Sequence, residues 1–277
     1  MTEGPILVEQ HGAVRRIVLH RPEKLNAMDA PMTAAFFAAV DDAVDDPGTH
    51  VVVLAGAGRA FCSGADLKPA AQADGDGDGD GDGDGDAKGA AAPGAGLGGG
   101  GSVRHAPVDM VLNRGRVTSW LHLWSVPKPL VAQVHGYCLG IANEIAGCCD
   151  LVICGESARF GMPEAREFAL PPTLGFWPLR IGAAKTKELL WTGRLVEGRE
   201  AVTLGLADEV VPDDELPAHT LALAARIAEV PAARLAVVKQ AVNSWSETFG
   251  VRDAALRGAE YHALYHQVST FADRFGR

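Results

Sequence analysis

The sequence predicts an α/β protein built on a largely parallel sheet. Short apolar runs at Val51–Leu54, Leu130–Val134 and Asp150–Cys154 alternate with segments of helical periodicity between residues 50 and 155. Val51–Leu54 is continuously apolar and the other two are mostly so, as suits strands covered on both faces, and right-handed crossovers would join them. At 277 residues the chain is long enough to bury a full core.

In chain order, Ile6–Glu9 and Val14–Leu19 form an opening hairpin turned through His11 and Gly12. The polar segment HRPEKLNAMD is a loop. Asp29 caps a helix with Pro31 in its first turn, and its apolar residues Phe36, Phe37, Val40 and Val44 run to a stop near Pro47-Gly48. Val51–Leu54 is a central strand. The stretch GAGRAFCSGADLK then sets glycines among small residues, which allows backbone to approach a ligand. It is neither a phosphate loop, lacking a terminal Gly-Lys-Ser/Thr, nor a dinucleotide fingerprint, since Phe61 stands where the third glycine would be.

Residues 70–102 alternate Asp with Gly and then become Ala/Gly-rich, a composition that predicts a disordered surface insertion. Its D-x-D-x-D-G pattern lacks the acid that a calcium loop needs at its twelfth position, where Ala87 or Gly89 falls, so no metal site is predicted. A helix over Val108–Trp124 carries Val111, Leu112, Val117, Trp120, Leu121 and Trp124 on one stripe. After Leu130–Val134, the segment HGYCLGIANEIAGCCD turns through Gly136 and Gly140 into a helix with Glu144 in its first turn. ARFGMPEAREFALPPTLGFWPLRIG is a proline-rich loop, followed by helices at Ala183–Trp191 and Gly198–Gly205 and a strand end at Val210-Val211-Pro212. From Asp213 the chain is helical in three segments, Leu216–Ala228, Ala232–Ser246 and Val251–Tyr265. The expected organisation is a core over residues 1–212, interrupted by the insertion, and a helical C-terminal oligomerisation region over 213–277.

The net charge is −10, but seven of the acids are the insertion's Asp74 to Asp86, so the folded body is near neutral. No basic and aromatic surface suits nucleic acid. No apolar run is long enough to span a membrane and the N-terminus has no secretory pattern, which predicts a cytoplasmic protein. Five cysteines without paired C-x-x-C spacing are expected to be buried thiols. His262 and His266 lack an accompanying H-E-x-x-H glutamate and are expected to be a surface or interface pair, not ligands. His135 is expected to serve as a structural hydrogen-bonding group.

Read together, AFCSGADLK, HGYCLG followed by Glu144, CDLVI and ARFGMPE, with RPEKLNAMD and LLWTGRLVEGREAVTLGLADEVVP, resemble the enoyl-CoA hydratase/isomerase or crotonase family. The resemblance covers most of the chain outside the Asp-Gly insertion. It implies a crotonase-like spiral of β-β-α units with a C-terminal helical subdomain. It also implies an acyl-CoA thioester substrate, no cofactor beyond the coenzyme A that the substrate carries, and a homotrimer or a hexamer of paired trimers.

The chemistry makes matching demands. Adding water to a double bond conjugated to a thioester drives negative charge onto the thioester oxygen, which two converging N–H groups can hold. By the family motifs these would be the backbone N–H groups of Ala65 and Ile141. Glu144 would orient and deprotonate water and Glu164 would transfer a proton at the α-carbon. Related isomerases commonly keep one of the two acids, so retention of both points to a hydratase. The resemblance further implies that Ala27, Ser63, Ala65, Asp66, Leu67, Lys68 and Ile141 line the substrate and CoA path.

Two departures from the family pattern bear on the site. Ile141 stands where glycine is usual, and its branched side chain does not readily take a positive φ. Phe168, Phe176 and Trp177 replace smaller residues after Glu164. Both are expected to reshape the acyl pocket.

Overall fold

A computed structural model describes residues 4–66, 106–168, 170 and 172–268. The insertion predicted at 70–102 lies outside the described residues, as do Leu67 and Lys68.

Six strands form the main sheet: β1 (Ile6–His11), β2 (Val14–Leu19), β3 (Val51–Gly56), β4 (Leu130–Val134), β6 (Leu151–Gly155) and β9 (Glu209–Val211), in the order β1-β2-β3-β4-β6-β9. Only the β1–β2 hairpin is antiparallel. Register places Ile17 opposite Leu54, Leu54 opposite Ala132 and Ala132 opposite Val152. This row and its alternates, Val52, Leu130 and Cys154, face a large core shared with helices α1 (Ala30–Asp45), α2 (Ala106–Ser125) and α3 (Ile141–Cys148). The intervening residues Val51, Val53, Val131 and Ile153 face the other way, onto Leu216, Ala224 and Ala228 of α8 (Leu216–Ala228). Burial on both faces is why β3 reads as an unbroken apolar run. It also means that α8, past the expected boundary at residue 212, covers one face of the sheet.

Asp29 caps α1 as the sequence indicates, accepting from the Met32 N–H at 2.9 Å. In α2 the stripe is buried at Val117, Trp120, Leu121 and Trp124, whereas Val111 is exposed. The helix α10 (Val251–Val268) packs along α2, and its His262 is buried, which excludes the surface alternative of the surface or interface position expected for it. His266's side chain lies outside the described residues.

A second, three-stranded sheet was not legible in the sequence. It consists of β5 (Tyr137–Leu139), β7 (Arg159–Gly161) and β8 (Val196–Glu197) in the order β5-β7-β8. The chain runs up β4 in the main sheet, steps through Gly136 onto β5, and turns into α3. It then repeats the pattern with β6, β7 and α4 (Pro163–Phe168). These are two successive β-β-α turns of a spiral. The step needs glycine at 136, where φ is +53° and a Cβ would overlap the Arg59 carbonyl oxygen. The proline-rich stretch expected to be a loop therefore contains β7, α4 and α5 (Phe176–Ile181). Two helices follow, α6 (Ala183–Thr192) and α7 (Gly198–Leu204), and α9 (Ala232–Glu247) lies between α8 and α10.

All five cysteines are buried and free. Burial pushes the thiols of Cys62, Cys149 and Cys154 up to about 12. Among the described residues no helix is long and apolar enough to cross a membrane, and no group of three or more His, Cys, Asp or Glu side chains is arranged to hold a metal.

Candidate active site

The spiral brings two glycine-containing turns against each other. The first, residues 63–66, is bound to the loop at 24–28. Ser63 N donates to Leu25 O at 2.9 Å, Met28 N to Gly64 O at 2.9 Å, and Asp66 N to Met28 O at 2.9 Å. Gly64 and Asp66 make the bonds to Met28, so the N–H of Ala65 between them points to the opposite side. Leu25 and Asn26 both adopt left-handed backbone, at φ +51° and +57°. The buried Asn26 side chain holds that turn by accepting from Arg21 N and donating to the carbonyls of Ala57 and Ala60. Ala27 and Ser63 thus sit on joined loops.

Asp66 is among the residues expected to line the CoA path. Its carboxylate pairs with Arg21 at 3.1 Å and Lys24 at 3.2 Å. Arg21 also donates to Ala27 O at 2.6 Å and pairs with Asp29 at 2.9 Å. Asp66 therefore ties the two loops together electrostatically.

The second turn is Leu139-Gly140-Ile141. A Cβ on Gly64 would lie 3.2 Å from the Leu139 carbonyl oxygen and 4.0 Å from the Gly140 Cα, so the two turns touch. Gly140 has φ +55° and ψ −122°. Ile141 follows as the first residue of α3, with an N–H that has no intrahelical acceptor. The left-handed conformation thus falls on Gly140, and Ile141's side chain joins the core. This removes the backbone objection to isoleucine at that position. The N–H groups predicted to act together, of Ala65 and Ile141, lie on neighbouring turns.

Two carboxylates border the start of α3. Glu144, 7% exposed, accepts from Thr173 N at 2.6 Å and from Leu174 N at 3.2 Å. Burial pushes its carboxyl up to about 7, against those two N–H bonds, and the Glu164 charge pushes the same way. Glu164, in the first turn of α4, is also pushed up to about 7, by burial. Its Oε1 would lie 2.7 Å from a Cβ on Gly140. Only a residue without a side chain leaves room there for the carboxylate beside the Ile141 peptide.

Asn143 completes the arrangement. Its buried side-chain amide donates to Cys138 O at 2.7 Å and Gly161 O at 2.6 Å. Gly161 O also receives Gly140 N at 3.0 Å. One side chain therefore links β5, β7 and the turn before Ile141. The sequence signal was an amide beside Glu144 in a helix whose other residues are apolar or small, a residue type that is seldom buried without partners. The Thr173 and Leu174 donors are backbone groups and carried no signal. Phe176 lies on Gly147 of α3, with its ring 6.4 Å from that of Trp124, so it belongs to the core. His135 fills the structural role expected of it, its Nε2 lying 2.9 Å from Gly58 O.

A profile of the enoyl-CoA hydratase/isomerase family matches residues 9–81 and 90–271. A probable enoyl-CoA hydratase of Rhizobium meliloti (strain 1021) is 34% identical over 247 residues, covering 88% of this chain and 82% of the relative. The carnitinyl-CoA dehydratase of Proteus mirabilis (strain HI4320) is 32% identical over 239 residues, covering 85% and 79%. Among solved structures, a probable enoyl-CoA hydratase from Mycobacterium smegmatis aligns with a TM-score of 0.80 at 26% identity, covering 95% of this chain and 94% of that one.

The β-β-α spiral and these likenesses define a crotonase-fold enzyme of acyl-CoA metabolism. The chain belongs to the enoyl-CoA hydratase/isomerase family and is an enoyl-CoA hydratase-like enzyme.

Proposed function

We propose that the enzyme adds water reversibly across the double bond of a 2-enoyl-CoA, using its own side chains and backbone, with coenzyme A entering as part of the substrate. The observation that carries this reading is the pair of carboxyls, Glu144 buried and Glu164 half-buried, both pushed up to about 7 and bordering the turn that presents the Ile141 N–H. Two acids poised near neutrality divide the work of base and acid.

Their surroundings favour one division. Glu144 receives N–H donors from Thr173 and Leu174, which stabilise its ionised form. Among the described residues Glu164 has one such donor, its own backbone N–H, so it is the better keeper of the proton. In the hydration direction ionised Glu144 takes a proton from water as the water oxygen bonds to the β-carbon. The double-bond electrons move toward the thioester, whose oxygen becomes negative between the Ala65 and Ile141 N–H groups. Protonated Glu164 then delivers its proton to the α-carbon. Dehydration runs the same steps backward.

Ala27, Ser63, Asp66, Leu67 and Lys68 are proposed to line the CoA path, largely through backbone atoms. The subunits are proposed to form trimers or paired trimers through the C-terminal helices. Exposed apolar residues on α9, among them Trp245 at 66% exposure, and on the turn after it, Phe249 at 77%, support this.

Replacing Glu144 or Glu164 by Gln tests the mechanism. Each variant is expected to hydrate a short 2-enoyl-CoA at least about a hundredfold more slowly, the lower range for losing a general acid or base. Unchanged turnover in both would overturn it. An isomerisation, decarboxylation or C–C cleavage product from an acyl-CoA panel would redirect the reading within the family. Tight thioester binding with no turnover across the panel would make the protein a non-catalytic binder.

A further inference from the structure

Glu144 is held by the peptide N–H groups of Thr173 and Leu174, and that peptide is itself held from outside the spiral. Gly258, in the middle of α10, lies against it so closely that a Cβ at 258 would overlap the Thr173 carbonyl oxygen. The same Cβ would come within 2.8 Å of the Thr173 carbonyl carbon and 3.1 Å of its Cα. A second approach flanks the first, since a Cβ on Gly175 would lie 3.7 Å from that of Ala254. Gly258 and its neighbours Ala255 and Ala259 are buried, and α10 is seated along α2. The backbone of 173–174 is thus clamped between the C-terminal helix and the carboxylate.

We infer that Gly258 is a positioning residue: by letting α10 seat directly on the Thr173 peptide, it aims the Thr173 and Leu174 N–H groups at Glu144. The inference rests on the reading of Glu144 as the base. Any side chain at 258 must displace backbone, either the helix or the Thr173 peptide, because no flexible side chain is there to give way. Displacement lengthens the 2.6 Å bond from Thr173 N. Glu144 then loses donors that favour its ionised form, while its burial is retained. The titratable groups facing Glu144 are Glu164 of α4 and the Cys148 thiol of its own helix. The thiol is held well above its ordinary range by burial and stays neutral, so Glu164 is the neighbour whose charge matters.

The test is the pH profile of kcat/KM for hydration of a short 2-enoyl-CoA by Gly258→Ala. Gly115→Ala serves as control, because a Cβ at this α2 glycine meets nothing within 4 Å. The acidic limb of Gly258→Ala is expected to move up by about one pH unit, the size of one lost hydrogen bond to a charge. Its kcat/KM near pH 7 should fall roughly fivefold, and its deficit relative to wild type should narrow toward pH 9. Gly115→Ala should keep the wild-type profile. If Gly258→Ala does not fold, Thr173→Pro removes the nearer donor while leaving Gly258 and the rest of the α10 sequence unchanged, and should move the limb in the same direction. Loss of rate in Gly258→Ala without movement of the limb would overturn the inference, as would an unmoved limb in Thr173→Pro. Full turnover by Glu144→Gln would instead overturn the reading of the base on which the inference depends.

Discussion

Replacing Glu144 by Gln separates what this residue does for catalysis from what it costs the fold. In the native protein its carboxyl is pushed up to about 7 from an ordinary value of 4.5. A proton is therefore bound more tightly in the folded state than in the unfolded one. Stability then falls as pH rises from about 4.5 to about 7, and the loss is complete above that. At about 1.4 kcal/mol per pH unit, the ionised carboxylate costs up to about 3 kcal/mol near pH 8. Glutamine cannot ionise, and its carbonyl oxygen still accepts from Thr173 and Leu174. Urea unfolding at one protein concentration should show Glu144→Gln close to wild type near pH 5 and more stable by roughly 2–3 kcal/mol near pH 8. Hydration should be nearly abolished throughout. A variant less stable than wild type near pH 8 would refute the reasoning, because it would make Glu144 an ordinary structural carboxylate held by its two amides.

Gly140→Ala places a Cβ 2.7 Å from Glu164 Oε1 in a backbone with φ +55°. It should cost about 1–2 kcal/mol in unfolding free energy and about a hundredfold in kcat. Asn143→Ala removes the donors to Cys138 O and Gly161 O. Thermal unfolding should fall by the equivalent of about 2–4 kcal/mol, with kcat reduced more than KM is raised, because the slackened turn carries an N–H proposed to hold the developing charge. The double variant Trp245→Glu with Phe249→Glu should shift the species seen by light scattering from trimer or hexamer to monomer. An unchanged mass would remove this face from the subunit contact.

Much of the architecture was legible because the main strands are buried on both faces. Val51–Leu54 reads as an unbroken apolar run, and Leu130–Val134 as one interrupted only by Gln133, since α1 to α3 cover one side and α8 the other. The second sheet was not legible. Its strands β5 and β7 have three residues each and β8 has two, too short to show a period of two. Residues 163–168 passed for loop because a proline opens the segment, yet proline is suited to the first turn of a helix.

Both glutamates stood out by motif, and Glu144 also by its place at a helix start. What sets their acidity was not visible. It depends on tertiary burial and on the amides of Thr173 and Leu174, which any sequence would supply. Concern over Ile141 had the opposite fate, because the left-handed backbone belongs to Gly140, one residue earlier.

The central claim is that water is a reactant. A short 2-enoyl-CoA turned over in heavy-oxygen water should give a 3-hydroxyacyl-CoA with the label in its new hydroxyl, and both glutamine variants should lose that product in parallel. An unlabelled isomerised thioester, formed with no hydroxyl product, would contradict the account.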